Sequence, residues 1–308
     1  MRLKVLAILD PFQPYSFKKD TSHLLLLTLA RRGHFIDYAD PSDLFFNGRP
    51  AVHSRRVTVL EKEPYFTFHP AHTTSPVAVD HFDLVLMRKD PPVDLAYLTA
   101  THLLSLAADR VWVINHPQAL RDWNEKLSIF QFPRFIPPTI VSSNPQEIAA
   151  FVDSQGGRAV LKELDGFAGK GVRKIGWGET VNIGEQPVMA QAFLPQVATE
   201  GEKRIFMIDG EAWGALLKFP PEGGFITNPD LGGRLQATEI TSQEKELCQE
   251  VGVFLKKNGI FFAGLDLIDG KLTEINITSP GLLWEWNEID NRRHEEEIVD
   301  RIERKLKT

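Results

Sequence analysis

The chain has 308 residues, 43% hydrophobic and 25% charged, with a formal net charge of -6. That length gives about two domains with ample cores, and the acidic balance argues against a general nucleic-acid or membrane-surface binder. One cysteine, Cys248, excludes an internal disulfide and any cysteine-based metal site and fits a reducing, cytoplasmic setting.

Met1 leads almost directly into a strand, Lys4 to Leu9, without a charged-then-apolar leader. The longest aliphatic run, Leu24 to Leu27, is far too short to span a bilayer. After Asp10-Pro11 and a polar loop at Ser16 to Asp20, the spacing predicts a helix over Ser22 to Arg32. Thr21 or Ser22 is its N-cap and Gly33 its stop. Phe35 to Ala39 is a second strand, whereas residues 50 to 80, rich in Pro, His and Thr, define no element. Asp83 to Met87 is a buried-type strand running into Arg88-Lys89-Asp90-Pro91-Pro92, followed by a helix over Leu95 to Ala108 and a strand over Val111 to Ile114. This alternation predicts a mostly parallel sheet. Ligands bind such sheets outside the carboxyl ends of the strands, where Asp10 and Arg88 to Asp90 fall. By itself Arg88-Lys89-Asp90 reads more simply as a solvated turn.

Asp122 to Phe130 has helical spacing, from which Lys126 could reach a phosphate or simply be exposed. Pro133, Pro137 and Pro138 mark an exit, and a second domain is expected to begin about here. A short helix over Pro145 to Asp153 and a strand over Ala159 to Leu164 precede Asp165-Gly166-Phe167-Ala168-Gly169-Lys170-Gly171, which enters another strand at Val172. Glycines free backbone N–H groups to turn towards an anion. This loop joins two strands, which excludes a P-loop. It is either a cover over nucleotide phosphates or a flexible hairpin, and Lys162 and Lys170 tilt the reading to phosphates. Strands are predicted at Val188 to Pro195, Lys203 to Ile208 and Glu211 to Phe219. A long Gly- and Pro-rich loop runs to Arg234; loops of this length are functional or disordered. Thr241-Ser242-Gln243-Glu244 is a capping box for a helix to Asn258. Glu295 to Lys307 is an amphipathic helix with Ile298, Val299, Ile302 and Leu306 as its stripe.

Gly264 to Pro280 reads as a hairpin turning at Asp269-Gly270. Glu274 and Asn276 share a face. A two-residue loop would put Asp266 on the opposite face. A three-residue loop with Gly270 left-handed would pair Leu267 with Lys271 and gather Asp266, Leu272, Glu274 and Asn276 on one face. The expectation is an odd-length loop or a bulge that brings Asp266 to Glu274. Two carboxylates and a carboxamide so placed suit Mg²⁺; a half-exposed hairpin with its acids in water is the plainer alternative.

Taken together, KKDTS at Lys18 to Ser22, MRKDPP at Met87 to Pro92, LRDWNEKL at Leu120 to Leu127, LKELDGFAGKGV at Leu161 to Val172, MAQAFLP at Met189 to Pro195, GEKRIFMIDGE at Gly201 to Glu211, GGR at Gly232 to Arg234 and GLDLIDGKLTEINITSP resemble the bacterial glutathione synthetases of the ATP-grasp superfamily. The resemblance covers nearly the whole chain. It implies an α/β ATP-grasp fold: an N-terminal parallel-sheet domain (1–122), a small central lid (123–200) and a C-terminal α+β domain (201–308), with ATP between the last two. It implies an ATP-dependent ligase that phosphorylates the carboxylate of γ-glutamylcysteine and joins it to glycine, with ATP and Mg²⁺ (or Mn²⁺) as cofactors. It further implies small-molecule partners only, a cytoplasmic setting and a homo-oligomer.

By the same resemblance, Asp266, Glu274 and Asn276 match the metal ligands. Lys126, Lys162, Gly166, Gly169, Lys170 and Gly171 match groups on the ATP phosphates, and Gln191, Ala192, Phe193 and Leu194 match the adenine hinge. Arg204 and Arg234 match catalytic arginines, and Arg88, Lys89, Asp90 and Ser279 match the substrate side. Two places depart from the family pattern. Phe225 to Leu231 lacks a mid-loop arginine, and Trp284 and Trp286 stand where a basic residue is usual. The expectation is weaker binding of γ-glutamylcysteine or glycine and a preference for more apolar substrates, unless Lys218, Arg88 or Arg292 supplies the charge. A ligase for another acid or amine, and a nucleotide-binding homologue without ligase activity, are the alternatives.

Overall fold

The structure is a computed structural model describing residues 2–11, 19–69, 75–179 and 183–307. Of the polar loop expected at Ser16 to Asp20, the part up to Lys18 lies outside the described residues. The first region contains strands β1 (Lys4–Ile8), β2 (Phe35–Ala39), β3 (Leu44–Phe46), β4 (Pro50–Val52), β5 (Arg55–Val59), β6 (Phe66–Phe68), β7 (Val77–Ala78), β8 (Leu84–Met87) and β9 (Trp112–Ile114). Helices α1 (Thr21–Arg31) and α2 (Leu95–Ser105) lie between them. The main sheet has the order β6-β5-β2-β1-β8-β9. Its β2-β1-β8-β9 part is parallel, as the buried runs in β1 and β8 require, and β5 and β6 add an antiparallel edge. The unplaced stretch after residue 50 therefore supplies four short strands, too brief for their periodicity to be read. Asp20, not Thr21 or Ser22, caps α1: its Oδ1 accepts the His23 N–H at 2.7 Å. The other two side chains are spent on long-range contacts, Thr21 Oγ1 accepting from Leu283 N and Ser22 Oγ from Arg88.

Helix α3 (Pro117–Asp122) ends earlier than the spacing suggests, and no helix runs through to Phe130. The Asn124 carboxamide oxygen accepts from the N–H of Lys126 (2.9 Å) and of Leu127 (3.1 Å), so a side chain replaces the next helical carbonyl and the chain turns. A 3-10 turn follows at Leu127–Gln131. Strands β10 (Thr139–Ser142), β11 (Arg158–Glu163), β12 (Val172–Gly176) and β13 (Val188–Ala192) form an antiparallel sheet in the order β10-β13-β11-β12. With helix α4 (Pro145–Ser154) they close a small core of their own around Ile148, Val152, Leu161, Ile175 and Ala190.

Strands β14 (Glu202–Ile208), β15 (Glu211–Phe219), β16 (Arg234–Thr238), β17 (Phe262–Ile268) and β18 (Lys271–Asn276) make a third sheet, ordered β16-β15-β14-β17-β18. Helix α5 (Ser242–Lys257) starts at the Thr241–Glu244 capping box, and helices α6 (Leu283–Asp290) and α7 (Glu295–Lys307) end the chain. One face of this sheet shares a core with the first: Phe206, Leu216 and Phe262 pack in the same cluster as Val5, Leu84, Ile114 and Ile298. The buried carboxamide of Asn115 pins that junction, donating to the carbonyls of Phe262 and Ile277 and accepting from the N–H groups of Phe261 and Phe262. The segment after Pro280 corrects the expectation about its tryptophans. Trp286 is 7% exposed, stacked on Phe206 at 4.7 Å, and Trp284 is half-buried against the same core. Trp286 is turned inward by α6, so it offers no apolar surface to a substrate.

Candidate active site

The Asp269-Gly270 turn is a two-residue one, since Ile268 pairs with Lys271 and Leu267 with Leu272. Both turn residues have positive φ, 51° and 67°, as the tight hairpin turn demands. The three-residue loop that would pair Leu267 with Lys271 is therefore not formed. Instead, a bulge between this pair and the next makes Thr273 the extra residue, and Asp266 lies opposite Glu274 and Gly264 opposite Asn276. Leu272 is sent with Leu267 into the core, while Asp266, Glu274 and Asn276 occupy the other face. The Asn276 carboxamide stands 3.1 Å from Asp266 Oδ2.

Charges converge on this face. Arg204, opposite Asp266 on β14, donates through Nε and Nη2 at 2.7 Å each, a bidentate pair. Its guanidinium lies across Gly264, where a Cβ would stand 2.8 Å from the arginine side chain. Lys218 at the end of β15 contacts Asp266 Oδ1 and Glu202 Oε2, both at 2.9 Å. Burial would raise the Asp266 pKa, but Arg204 and Lys218 more than reverse this and hold it below the usual carboxylate range. Lys126, 4% exposed, reaches Glu274 at 3.2 Å and the Gly166 carbonyl. Lys162 on β11 donates to Gln191 Oε1 on β13 at 2.9 Å, and burial pulls its pKa down despite the nearby Glu274 and Glu202.

These groups floor a cavity of about 390 Å³ between the second and third sheets. At one end stand Val160, Ala192, Phe193, Leu194 and Val197, an apolar slot for a flat ring. The roof is two loops in contact. Gly166 to Lys170 forms one, and Phe225 to Asp230, from the long Gly- and Pro-rich stretch, the other. The Asn228 amide donates to the Ala168 carbonyl (2.8 Å), Phe225 packs edge-on against Phe193, and Thr227 donates to Glu202. Gly169 has φ 80° and lies so close to Ile226 that a Cβ would come within 2.7 Å of it. Asp90, Pro91, Ser279 and Pro280 close the far end.

Four expected residues stand outside the cavity lining: Gly171, Arg88, Lys89 and Arg234. Arg234, at the start of β16, is exposed and stacks over Phe219, 4.0 Å from the ring centre. Arg88 is buried with its guanidinium spent on Ser22, Ser279 and the Pro280 carbonyl, and Lys89 pairs with Asp10 at 3.1 Å. Sequence reasoning passed over Glu125, whose Oε1 accepts from Ile277 N, Thr278 N and Thr278 Oγ1 at 2.7–2.9 Å. Its only signal was its place beside Lys126. Glu202, Phe225 and Thr227 carried none.

Two antiparallel sheets closing on a lysine- and carboxylate-lined cleft under a glycine-rich loop define an ATP-grasp ligase. Solved ligases of this fold superpose on the chain. PsnB gives a TM-score of 0.66 at 16% identity over 99% of this chain and 100% of that one, and the D-cycloserine synthetase DcsG gives 0.65 at 16% over 96% and 99%. Sequence narrows the class: residues 3–121 match the prokaryotic glutathione synthetase N-terminal domain and residues 125–291 its ATP-grasp domain. Glutathione synthetase of Parasynechococcus marenigrum is 41% identical over 90% of this chain and 92% of its own, and that of Vibrio cholerae 36% over 99% and 98%. The chain belongs to the prokaryotic glutathione synthetase family and is an ATP-dependent ligase. No described helix is long and apolar enough to cross a membrane.

Proposed function

We propose that the chain transfers the γ-phosphoryl group of ATP to the cysteinyl carboxylate of γ-glutamylcysteine. The amine of glycine then attacks the acyl phosphate, phosphate leaves, and glutathione is released with ADP. The observation that carries this reading is the pairing of Asp266 with Glu274 on one face, ringed by Arg204, Lys126 and Lys162 beneath the glycine-rich loop. Phosphoryl transfer needs positioning and charge neutralisation rather than a covalent nucleophile. Lys126, Lys162 and the loop from Gly166 to Gly171 would hold the phosphates, and Gln191 to Leu194 the adenine. Arg204 would face the transferring group. Arg234, stacked outside the cavity, is given no part in the reaction.

Among the described residues no cluster of three or more His, Cys, Asp or Glu side chains is arranged to hold a metal unaided. Mg²⁺ ordinarily takes one or two carboxylates together with phosphate oxygens, and Asp266 with Glu274 meets that need. A turn of the Asn276 carboxamide would set its oxygen where its nitrogen now meets Asp266. The same oxygen donors would accept Mn²⁺. When bound, the metal neutralises phosphate charge during transfer.

The division into an N-terminal part (1–122), a lid (123–200) and a C-terminal part (201–308), a homo-oligomeric working form and a cytoplasmic location complete the proposal. The deciding experiment is ADP release with γ-glutamylcysteine and glycine, each alone and together, with mass spectrometry of the product. Release that needs both and yields glutathione is expected. Glycine-independent release, or none with any acid–amine pair, would leave a nucleotide-binding protein that is not this ligase.

A further inference from the structure

Glu125 stands in the wall between two hollows. On one side is the cavity described above. On the other is a smaller hollow of about 140 Å³, bounded by Leu120, Trp123 and Leu164 and reaching solvent past the exposed Asp165. The carboxylate is aimed by β18 and the segment after it. The Glu125 carbonyl accepts the Ile275 N–H at 2.9 Å. Its Oε1 takes all three side-chain bonds, from Ile277 N, Thr278 N and Thr278 Oγ1. Oε2 accepts none among the described residues and, unlike the nearby Tyr97 hydroxyl, is not sealed in the core. A carboxylate held by one oxygen keeps the other for a ligand or a proton. The remaining carboxylates of the cavity differ from it. Glu202, Asp266 and Glu274 pair with Lys218, Arg204 and Lys126. Asp230 is an exposed residue of the roof, and Asp90 stands with Ser279 at the far end. Glu125 forms no ion pair among the described residues. The neighbouring Lys126 directs its ammonium away, to Glu274 and the Gly166 carbonyl, and Arg121, lining the smaller hollow, donates to Ser105 Oγ and the Pro117 carbonyl. Glu125 feels the charge of Glu274, and together with Asp90 it bears on Tyr97 of α2. It therefore lies between the nucleotide end and the substrate end, where an acyl phosphate would form.

We infer that Glu125 takes the proton that the acceptor ammonium must lose before it can attack, and passes it to water in the smaller hollow. This rests on the ligase reading above. Glycine enters as an ammonium, whose nitrogen has no free electron pair. Glu125 Oε2 removes one proton. The freed pair forms the C–N bond as the C–O bond to phosphate breaks, and the second proton leaves the nitrogen with the departing phosphate. A closed roof keeps bulk water from the acyl phosphate, so the proton needs another way out. The smaller hollow has room for water and supplies that exit through the wall.

The test compares two acceptors, glycine and hydroxylamine, at saturating ATP and γ-glutamylcysteine, on the unmodified protein and on Glu125→Gln. Hydroxylamine is already unprotonated at neutral pH, so it attacks an acyl phosphate without a base and yields a hydroxamate. Glutamine keeps the Oε1 acceptor and its three hydrogen bonds and removes the basic oxygen. Glu125→Gln should slow glutathione formation by about a hundred-fold, the usual worth of a positioned base. It should leave the KM of ATP where it was and change hydroxamate formation by less than about three-fold. With glycine, the rate of the variant should climb about tenfold per pH unit below the amine's own pKa, since only glycine deprotonated in solution reacts; the unmodified protein should climb less steeply. An equal loss with both acceptors would overturn the assignment and leave Glu125 as a brace for β18. Equal pH slopes in the two proteins would overturn it as well. The same acceptor-selective loss in Asp90→Asn but not in Glu125→Gln would give the proton to Asp90 instead. If the unmodified protein releases no ADP with either acceptor, it is the ligase reading that fails, and this assignment falls with it.

Discussion

At the scale of single residues, the site is a set of buried charges that balance one another before any substrate arrives. Asp266 is the hinge of that balance, because Arg204 and Lys218 both spend their charge on it. Removing one member of a buried ion pair costs about 3–5 kcal/mol, since the partner's charge remains. Asp266→Ala is therefore expected to lower stability by about that much, besides abolishing turnover; thermal melts indistinguishable from the unmodified protein would contradict the network. The pH dependence follows from the sign of the shift. The folded pKa of Asp266 lies below the unfolded value, so its contribution is fully present above the ordinary aspartate pKa, about 4, and is lost only as pH falls below it. The melting temperature of the unmodified protein should fall steeply below about pH 4, and that of Asp266→Asn less so. Lys162 makes a separate prediction. It sits half-buried with one neutral partner, Gln191, and burial already disfavours its charge, so an anion beside it would be held strongly. Lys162→Ala should weaken ATP binding by about ten- to hundred-fold, on the usual strength of a charge-assisted hydrogen bond. Unchanged affinity by calorimetry would remove Lys162 from the nucleotide site.

At the scale of elements, the roof decides whether the reaction stays dry. The glycine-rich loop and the loop from Phe225 to Asp230 touch through Asn228, Ile226 and Gly169, without any arginine in the second loop. Gly169→Ala places a methyl group against Ile226 on a backbone with φ 80°, and both the clash and the strain should lift the roof. The expected result is uncoupling: ADP release exceeds glutathione formation because water reaches the acyl phosphate. A one-to-one ratio of ADP to glutathione in that variant would show that this contact does not exclude water. Much at this scale was legible in the sequence because the signals are local. The Asp269-Gly270 turn, the Thr241–Glu244 capping box and the stripe of α7 each need only neighbours a few residues apart. The bulge at Thr273 has no such signature. One extra residue reverses which face Leu272 shares, and only the pairing partner reveals it. Trp284 and Trp286 misled for a related reason. Their place after the TSP motif suggested substrate contact, but α6 begins at Leu283 and turns Trp286 onto Phe206 and Trp213, while Trp284 is half-buried against the same core. Arg88 and Lys89 were expected on the substrate side only from the family resemblance, since their position at a strand end reads by itself as a solvated turn, and their committed partners, distant in sequence, could not be read from it.

At the scale of the whole molecule, the first and third sheets are one body, and the second is attached more lightly. Helices α1 and α7 are bound by Arg32 to Glu296 and Asp300 and by His34 to Glu303, and the core around Phe262 and Ile114 runs through both sheets. Asn115, Glu125 and Arg88 add hydrogen bonds from the N-terminal half to the end of β18 and the segment after it. By contrast, the four-stranded sheet gathers most of its buried apolar residues into a cluster of its own, while Met189 and the half-buried Val141 turn to the larger core and Val160 lines the cavity. The cavity lies between this smaller body and the larger one, and its lysines come from both sides: Lys162 from the small sheet, Lys126 and Lys218 from the rest. A nucleotide held by both sides must restrict their relative motion. Ligand binding stabilises whatever state binds it, by about 2.7 kcal/mol at a hundred times Kd, and here the gain should fall unevenly. Hydrogen exchange in the stretch from Thr139 to Ala192 is expected to slow markedly with ADP and Mg²⁺, whereas β1, β8 and β17 should change little because they are already locked in the common core. Uniform protection across the six-, four- and five-stranded sheets would mean that the molecule opens as one unit, and the cleft would then have to admit ATP through its loops alone.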